Sequence, residues 1–390
     1  MARKRRCECF TRGYGLRYPV LLLCSSLAVL SCFNQEESGE DRPFERPATA
    51  WNPETYVVYQ TGSPVNVDGD LTEPDWALAS WTHDFVDIRG LPEAVPWLRT
   101  RVKLLWDDTN LYIAAELAEP HVWAKLTERD AVIYEDNDFE VFIDPDGDSH
   151  EYYELDINAL GAERDLMLIR PYRDGGRAIT DWDIKGLQSG VFVSGTINDP
   201  SDRDVGWSVE IAIPWRAVGE AARRPAPPEA GDQWSVNFSR VQWQTEVVEG
   251  EYVTQGDSNA PRMPEANWVW SPQGLAAMHY PEMWGVIQFS ANTIGSVVDE
   301  FRHVAVDSVK QTLYQLYYAQ RLWFEQHGRY ARSLAELGLL HMTMIPGYSW
   351  PPTIVVSPTY FEVVVEGRGG KIFTITHEGR FTRRGPTDRD

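Results

Sequence analysis

Carboxylate side chains recur at alternate positions within residues 131–161. Asp138 and Glu140 precede a turn rich in Asp, Pro and Gly, and Glu154 and Asp156 follow it. Acids on neighbouring strands repel one another unless water, a cation or hydrogen-bond donors offset the repulsion. The pattern therefore indicates either a solvated acidic face or a polar site for a ligand that brings hydroxyl groups or positive charge.

Apolar residues alternate with these acids on both sides of the turn. They are Phe139, Val141 and Ile143 before it, and Tyr153, Leu155 and Ile157 after it. Alternation with a period of two on both sides of a turn predicts an antiparallel hairpin. One face of this hairpin must cover a core, and the acids share the other face with Phe142, Tyr152 and Asn158.

The turn itself contains three acids, Asp144, Asp146 and Asp148. Carboxylate oxygens are the ligands that Ca²⁺ prefers. The spacing differs from an EF-hand loop, because Gly147 stands at the wrong position and no glutamate closes the loop. A polar hairpin turn is the preferred interpretation of these acids, so no metal ligand is assigned, and calcium is kept as an option elsewhere in the sandwich. No other cofactor is expected.

Short alternating segments separated by Gly, Pro and Asp continue on both sides of the hairpin. They include residues 100–105, 111–117, 206–213, 233–242 and 285–289. Few helical periods interrupt them, so the pattern predicts a mainly β fold, an antiparallel β-sandwich. The chain is 43% hydrophobic with 16 Trp, enough for a large core, and its net charge of -22 excludes nucleic acid as a partner.

The N-terminus has the form of an export signal. A basic segment, residues 3–6, precedes an apolar run at 19–30 that is short for a membrane span. Val29 to Cys32 resembles a bacterial lipoprotein signal, which implies a signal peptide at 1–31 and a lipid on Cys32. An ordinary secretory signal is the alternative. Residues 32–50, polar and acidic, are interpreted as a flexible tether.

Six stretches in their order and spacing resemble the family 9 carbohydrate-binding module across roughly Trp51 to Ser290. They are VDGDLTEPDWALA, VKLLWDDTNLYIAAEL, EDNDFEVFIDPDGD, GWSVEIAIPW, NWVWSPQG and WGVIQFS. The resemblance implies a carbohydrate-binding β-sandwich at 51–291. It also implies that two aromatic side chains grip a terminal sugar, and that calcium can be present.

The resemblance places the ligand-binding residues as follows. Tyr134 holds the position of one aromatic, Glu140 that of the glutamate on the following strand, and Asn267 with Trp270 that of a late Asn-x-x-Trp pair. Asp156 stands where better-known members have arginine, so a preference for xylan or cellulose does not carry over. Charged acceptors and an aromatic platform are what sugar hydroxyls and an apolar sugar face require.

Two tryptophans near Asn267 receive different interpretations. Trp270, in a segment between Pro264 and Pro272, is expected to be an exposed platform, largely because of the resemblance. Trp268 is expected to be a core residue.

Residues 292–390 differ in character from the rest. Apolar residues from Val298 to Trp323 fall on one stripe of a predicted long helix, Ser333 to Gly338 carries the signature of a short second helix, and three strands follow. The stretch YYAQRLWFEQHGRYARSLAELGL resembles type IV pilin-like proteins. It predicts a small α+β accessory domain like a pilin headgroup, with one long helix and a three-stranded antiparallel sheet.

The sequence thus predicts a protein of the bacterial cell envelope, lipid-anchored at the outer membrane or cell surface. It is expected to bind a poly- or oligosaccharide, at a chain end and of plant or other origin, in support of carbohydrate catabolism. One alternative is a glycoside hydrolase that uses Glu140 and a nearby carboxylate as its catalytic pair. Another is a purely structural surface protein.

Overall fold

The computed structural model describes residues 43–224, 226–255, 264–304, 306–342 and 346–385. The predicted signal peptide, Cys32 and most of the predicted tether lie outside these ranges. No helix of the described part is long and apolar enough to cross a bilayer.

Fifteen strands and two short helices build the larger part of the described chain. The strands are β1 Thr55–Gln60, β2 Val86–Asp87, β3 Thr100–Trp106, β4 Asn110–Ala118, β5 Asp138–Asp144, β6 Tyr152–Asn158, β7 Glu163–Leu168, β8 Ala178–Ile179, β9 Gln188–Ser194, β10 Gly206–Pro214, β11 Gln233–Gln242, β12 Thr245–Val248, β13 Glu251–Thr254, β14 Ala266–Val269 and β15 Gly285–Thr293. The helices are α1 Pro74–Leu78 and α2 Trp215–Val218. The mainly β prediction is confirmed.

One large mixed sheet runs in the order β8-β7-β6-β5-β11-β15-β1-β3-β4-β10-β9, with β14 also paired to β11 and β2 to β14. Residues from its two halves, such as Val141 and Leu155 on one side and Ile113 and Val209 on the other, share a single core. The sheet therefore closes on itself as a sandwich. Its pairs are antiparallel except at β1, which lies parallel to β15 and β3.

The hairpin of β5 and β6 forms as predicted. Phe139 is paired with Ile157 and Val141 with Leu155, and these side chains belong to the shared core. The opposite face is divided along its length. Its far half is apolar, with Phe142 and Tyr152 packed against Trp284, and its near half carries the acids. This division leaves the near half as the polar region of the face.

The C-terminal part has one long helix, α3 Val306–His327, against a four-stranded antiparallel sheet. Its strands are β16 Thr353–Val356, β17 Phe361–Glu366, β18 Ile372–Thr376 and β19 Phe381–Arg384. The α+β prediction is confirmed, with a fourth strand, β19, beyond the three expected. Residues 298–304 are not helical, and Ser333 to Gly338 forms turns instead of a second helix, although Ser333 Oγ accepts the expected bond from the Glu336 N–H.

Buried polar contacts join α3 to the sandwich. The Arg173 guanidinium lies 2.9 Å from Glu282 and donates to the carbonyl of His279 and the hydroxyl of Tyr317. Asp174 accepts bonds from Tyr317 and Arg321. The two parts are therefore fastened by charges as well as by apolar packing.

Residues 43–51 form a segment, here called the N-terminal strap, that packs on both parts. The Phe44 ring lies edge-on to Tyr317 at 5.8 Å and under the Arg321 guanidinium at 4.6 Å. The indole of Trp51 donates to the carbonyl of Glu282. The predicted flexible tether to residue 50 is therefore wrong for residues 43–50, because apolar and cation–π contacts fix them.

Candidate functional site

Three carboxylates on the near half of the hairpin face lie together. Glu140 is paired with Asp156 across the β5–β6 ladder, and Asp138 precedes Glu140 on the same face. Asp138 and Asp156 have no exposed surface and Glu140 is 6% exposed. The predicted acidic face is thus buried, which excludes a merely solvated surface.

The backbone around the acids is held by a separate network. Asp136 accepts hydrogen bonds from the N–H groups of Lys125 and Leu126 and from the amide of Asn158. The side-chain oxygen Oδ1 of Asn158 accepts hydrogen bonds from the N–H groups of Leu160 and Ala162, beyond β6. Asn158 therefore has a structural role at this end of the hairpin.

Several polar atoms among the acids lack a hydrogen-bond partner. Both oxygens of Asp156 and Oδ2 of Asp138 are buried and make no hydrogen bond. Oδ1 of Asp138 accepts the N–H of Val241 at 3.1 Å. Buried polar groups in native proteins are usually paired, so unpaired ones mark a place where a ligand can supply the missing partners.

Burial dominates the electrostatics of these acids. It raises the pKa of Glu140 to about 8, helped by the Asp156 charge, and raises the pKa of Asp156 to about 7 against the lowering effect of Arg164. Burial and the charges of Glu140 and Asp156 raise the pKa of Asp138 well above its ordinary value. A protonated acid is favoured at each position until hydrogen-bond donors or a positive charge stabilise the ionised form.

Tyr134 lies in a turn of residues 133–135 that packs against β6, the strand that carries Asp156. Its side chain is 44% exposed, and its carbonyl accepts the indole N–H of Trp243 at 2.8 Å. A fixed backbone with an exposed ring suits a stacking platform. The ligand-binding role of Tyr134 stays a prediction.

Asn267 and Trp270 have different surroundings. Asn267 is half-buried on β14 opposite Val241, and its side-chain amide makes no hydrogen bond to another described residue. Trp270 is only 2% exposed and packs against Phe238 at 5.7 Å in the shared core. The predicted exposed Trp270 platform is therefore wrong, because its side chain projects to the opposite side of the sheet from Asn267. Trp268 is also buried, as predicted.

Two residues of the site were not predicted from the sequence. Ser239 is paired with Glu140 on the adjacent strand β11, and Arg164 with Asp156 on β7. Polar residues alternate with apolar ones along β11: Ser235, Asn237 and Ser239 alternate with Trp234, Val236 and Phe238. This alternation predicts that Ser239 lies on the polar face, once β11 is known to neighbour β5. That neighbour relation cannot be obtained from local pattern.

The turn acids Asp144, Asp146 and Asp148 bring carboxylate oxygens within 4.8 Å of one another. Their number and type fit Ca²⁺. However, Asp144 accepts the N–H groups of Gly147 and Ser149, and Arg380 donates to Asp148 at 2.7 Å. These bonds account for the turn without an ion, and calcium stays a prediction.

Comparison with known proteins adds the family. Residues 67–231, which include Tyr134, Glu140 and Asp156, match the model of the carbohydrate family 9 binding domain-like proteins. This part of the chain is similar to that family, and the match covers less than half of the chain. No curated protein matches the chain.

Two solved structures are similar to this chain at low sequence identity. One is a family 9 carbohydrate binding module from Caldicellulosiruptor kristjanssonii in complex with cellotriose, 17% identical, with a TM-score of 0.39 over 63% of this chain and 99% of that one. A second, the module from the same organism in complex with glucose, is 18% identical, with a TM-score of 0.39 over 63% and 100% of the two chains.

Proposed function

We propose that the protein binds an oligo- or polysaccharide, at a chain end, in the polar region formed by Tyr134, Glu140, Asp156 and Asn267. The observation that carries this proposal is a set of buried carboxylates with unpaired oxygens on a hairpin against which the turn with the exposed ring of Tyr134 packs. The match to the family 9 model supports it.

The chemistry of the site suits a sugar ring. Hydroxyl groups donate to the carboxylates, and such charge-assisted bonds are shorter and stronger than neutral ones. The apolar face of the ring stacks on Tyr134. Asn267 offers both a donor and an acceptor, so it can bond a hydroxyl in either sense. Binding of this kind needs no cofactor, and it would serve carbohydrate catabolism by holding a glycan for enzymes that degrade it.

Replacing Tyr134 with alanine is expected to weaken glycan binding about tenfold or more. Stacking of a ring on an aromatic side chain is worth roughly 1–3 kcal/mol, by analogy with nucleic-acid bases. Glu140→Gln is expected to weaken binding as well, because a neutral amide replaces a charged acceptor. Calorimetric titration with cello-oligosaccharides measures both effects.

Phe192 provides a matched control for the Tyr134 substitution. It is also 44% exposed but lies on β9, at the other end of the sheet order. Phe192→Ala should leave glycan affinity unchanged. Equal affinities of wild type, Tyr134→Ala and Glu140→Gln for every bound glycan would place the binding site elsewhere.

The hydrolase alternative has a separate readout. Binding without cleavage leaves the number of reducing ends constant during long incubation with oligosaccharides. A steady release of reducing ends that Glu140→Gln abolishes would establish a glycoside hydrolase, with Glu140 as a member of its catalytic pair.

For location, we propose that Cys32 carries a lipid that holds the protein at the bacterial cell envelope. Cys32→Ala is expected to move the expressed protein from the washed membrane fraction to the soluble exported fraction, because the anchoring thiol is lost. Cys24→Ala is the control and should change nothing, since Cys24 lies within the proposed signal peptide. A membrane-bound Cys32→Ala protein would contradict the lipid anchor. The likeness of the C-terminal part to a pilin headgroup stays a prediction with no function attached.

A further inference from the structure

The near half of the hairpin face would carry an excess of negative charge if its three acids were ionised together. Asp138, Glu140 and Asp156 lie there within one buried patch, and Arg164, paired with Asp156 on β7, is the basic residue that faces them. Arg164 makes no hydrogen bond to Asp156, because both oxygens of Asp156 are unpaired. Glu265 adds a further negative charge that acts on Glu140. The described residues therefore do not balance the charge that the three acids carry when ionised.

Unpaired buried atoms show that the site is built for a donor. Both oxygens of Asp156 and Oδ2 of Asp138 are three unsatisfied acceptor atoms on adjoining strands. Ser239, opposite Glu140 on the neighbouring strand, directs its hydroxyl to Glu140 and leaves these three atoms without a donor. Buried charges are normally paired or neutralised, because an isolated one is costly in a low-dielectric interior.

A single metal ion does not fit this arrangement. Calcium holds its oxygen ligands at about 2.3–2.6 Å, so their oxygens must lie within about 5 Å of one another. In the part of the chain that the structure describes, Asp144, Asp146 and Asp148 are the group that meets such a criterion, and the three site acids are not. An organic ligand, whose amine and hydroxyl groups can each reach a different acid, fits this arrangement instead.

We propose that the site takes a glycan end that carries a free, protonated amine, such as a 2-amino sugar, in preference to a neutral sugar. This inference rests on the proposed function and names its ligand class. An ammonium group has three donors and no acceptor, which matches a set of unpaired carboxylate oxygens. It also brings a positive charge to a patch where three acids face one arginine, and so it stabilises the ionised form of the acids better than neutral hydroxyls do.

The test compares three oligosaccharides of equal length: a glucosamine oligomer, its N-acetylated form and a cello-oligosaccharide. Each is titrated into the protein in slightly acidic buffer, below the pKa of the glucosamine amine, and at about 0.15 M salt, where surface charges are screened. The glucosamine oligomer is expected to bind about tenfold tighter or more than the other two, as for a bond between two charged groups. N-acetylation keeps the ring and removes the charge, so it isolates the contribution of the amine.

Substitutions locate the preference. Asp156→Asn and Glu140→Gln should each weaken glucosamine binding more than cello-oligosaccharide binding, so that the affinity ratio falls several-fold. Asp108→Asn is the control: it removes one exposed acid from the turn between β3 and β4 and should leave the ratio unchanged. Circular dichroism confirms that each variant is folded, and two independent site variants protect the test against the failure of one.

The outcomes separate this inference from the proposed function. Neutral glycans that bind as tightly as the glucosamine oligomer, in a manner sensitive to Tyr134→Ala, would overturn the amine preference and leave sugar binding standing. A preference that survives Asp156→Asn and Glu140→Gln would be a general attraction to an acidic protein, which also overturns the inference. Failure of all three oligosaccharides to bind would overturn both proposals.

Discussion

Trp270→Ala is expected to lower the free energy of unfolding by about 3–5 kcal/mol, the usual cost of truncating a large buried aromatic residue. Trp270 is 2% exposed, packs on Phe238, and fills the space above Gly285. A Cβ atom at Gly285 would lie 2.4 Å from the Trp270 ring, so this glycine is required for the ring to fit. Urea denaturation of the variant and the wild type measures the difference.

Sugar titration on the same protein distinguishes a core role from a ligand-binding one. Folded Trp270→Ala should bind glycan with nearly normal affinity, and Trp270→Phe should recover part of the lost stability because it refills most of the cavity. A Trp270→Ala protein with wild-type stability and no glycan binding would show that the ring serves the ligand after all, against the burial seen here.

Arg173→Met is expected to lower the free energy of unfolding by about 3–5 kcal/mol, which is typical when one partner of a buried ion pair is removed. The Glu282 carboxylate, 2% exposed, would lose the guanidinium 2.9 Å away, and Tyr317 and the carbonyl of His279 would each lose a donor. Methionine keeps much of the apolar stem, so the loss reports on charge and hydrogen bonding. The measurement is the unfolding free energy from denaturant titration.

A double variant gives the control for Arg173. Glu282→Gln in the Arg173→Met background removes the stranded charge and should restore part of the stability. In the single variant Arg173→Met the contacts between α3 and the sandwich are weakened. Tryptophan fluorescence and far-ultraviolet circular dichroism should therefore report two unfolding transitions for Arg173→Met and one for the wild type. An unchanged midpoint in Arg173→Met would show that this pair contributes nothing to the union of the two parts.

The hairpin of β5 and β6 could be predicted from sequence because its alternation is regular and its turn is local. The same rule, applied strictly, also settles Trp270. Trp268 and Trp270 are two residues apart at the end of a strand, so their side chains must point to the same side. The sequence interpretation placed one in the core and the other on the surface. Alternation predicts that both tryptophans lie on the core side, as the structure shows, whereas the resemblance predicts an exposed Trp270.

Long-range pairing could not be predicted in this way. The parallel contacts of β1 join Thr55 to Val286 and Tyr59 to Leu105. Periodicity reports which face of a strand is apolar and says nothing about its neighbour. Arg164 and Ser239 were not predicted as site residues for the same reason, because they lie on the two strands that flank the hairpin. The contact of Phe44 with Tyr317 on α3 is another example, because 273 residues separate the two in the chain. Local sequence pattern cannot predict a contact over such a separation.

The packing of Phe44 also fixes the point at which the chain leaves the folded part, because its ring is held against Tyr317 and Arg321. If Cys32 carries the proposed lipid, twelve residue steps separate the anchor from this ring. A fully extended chain spans at most about 3.3–3.6 Å per residue, so the proposed anchor would allow a reach of about 40 Å between the lipid and Phe44. Under that proposal the protein would act as a short-range receptor, which binds glycan ends that come close to the membrane.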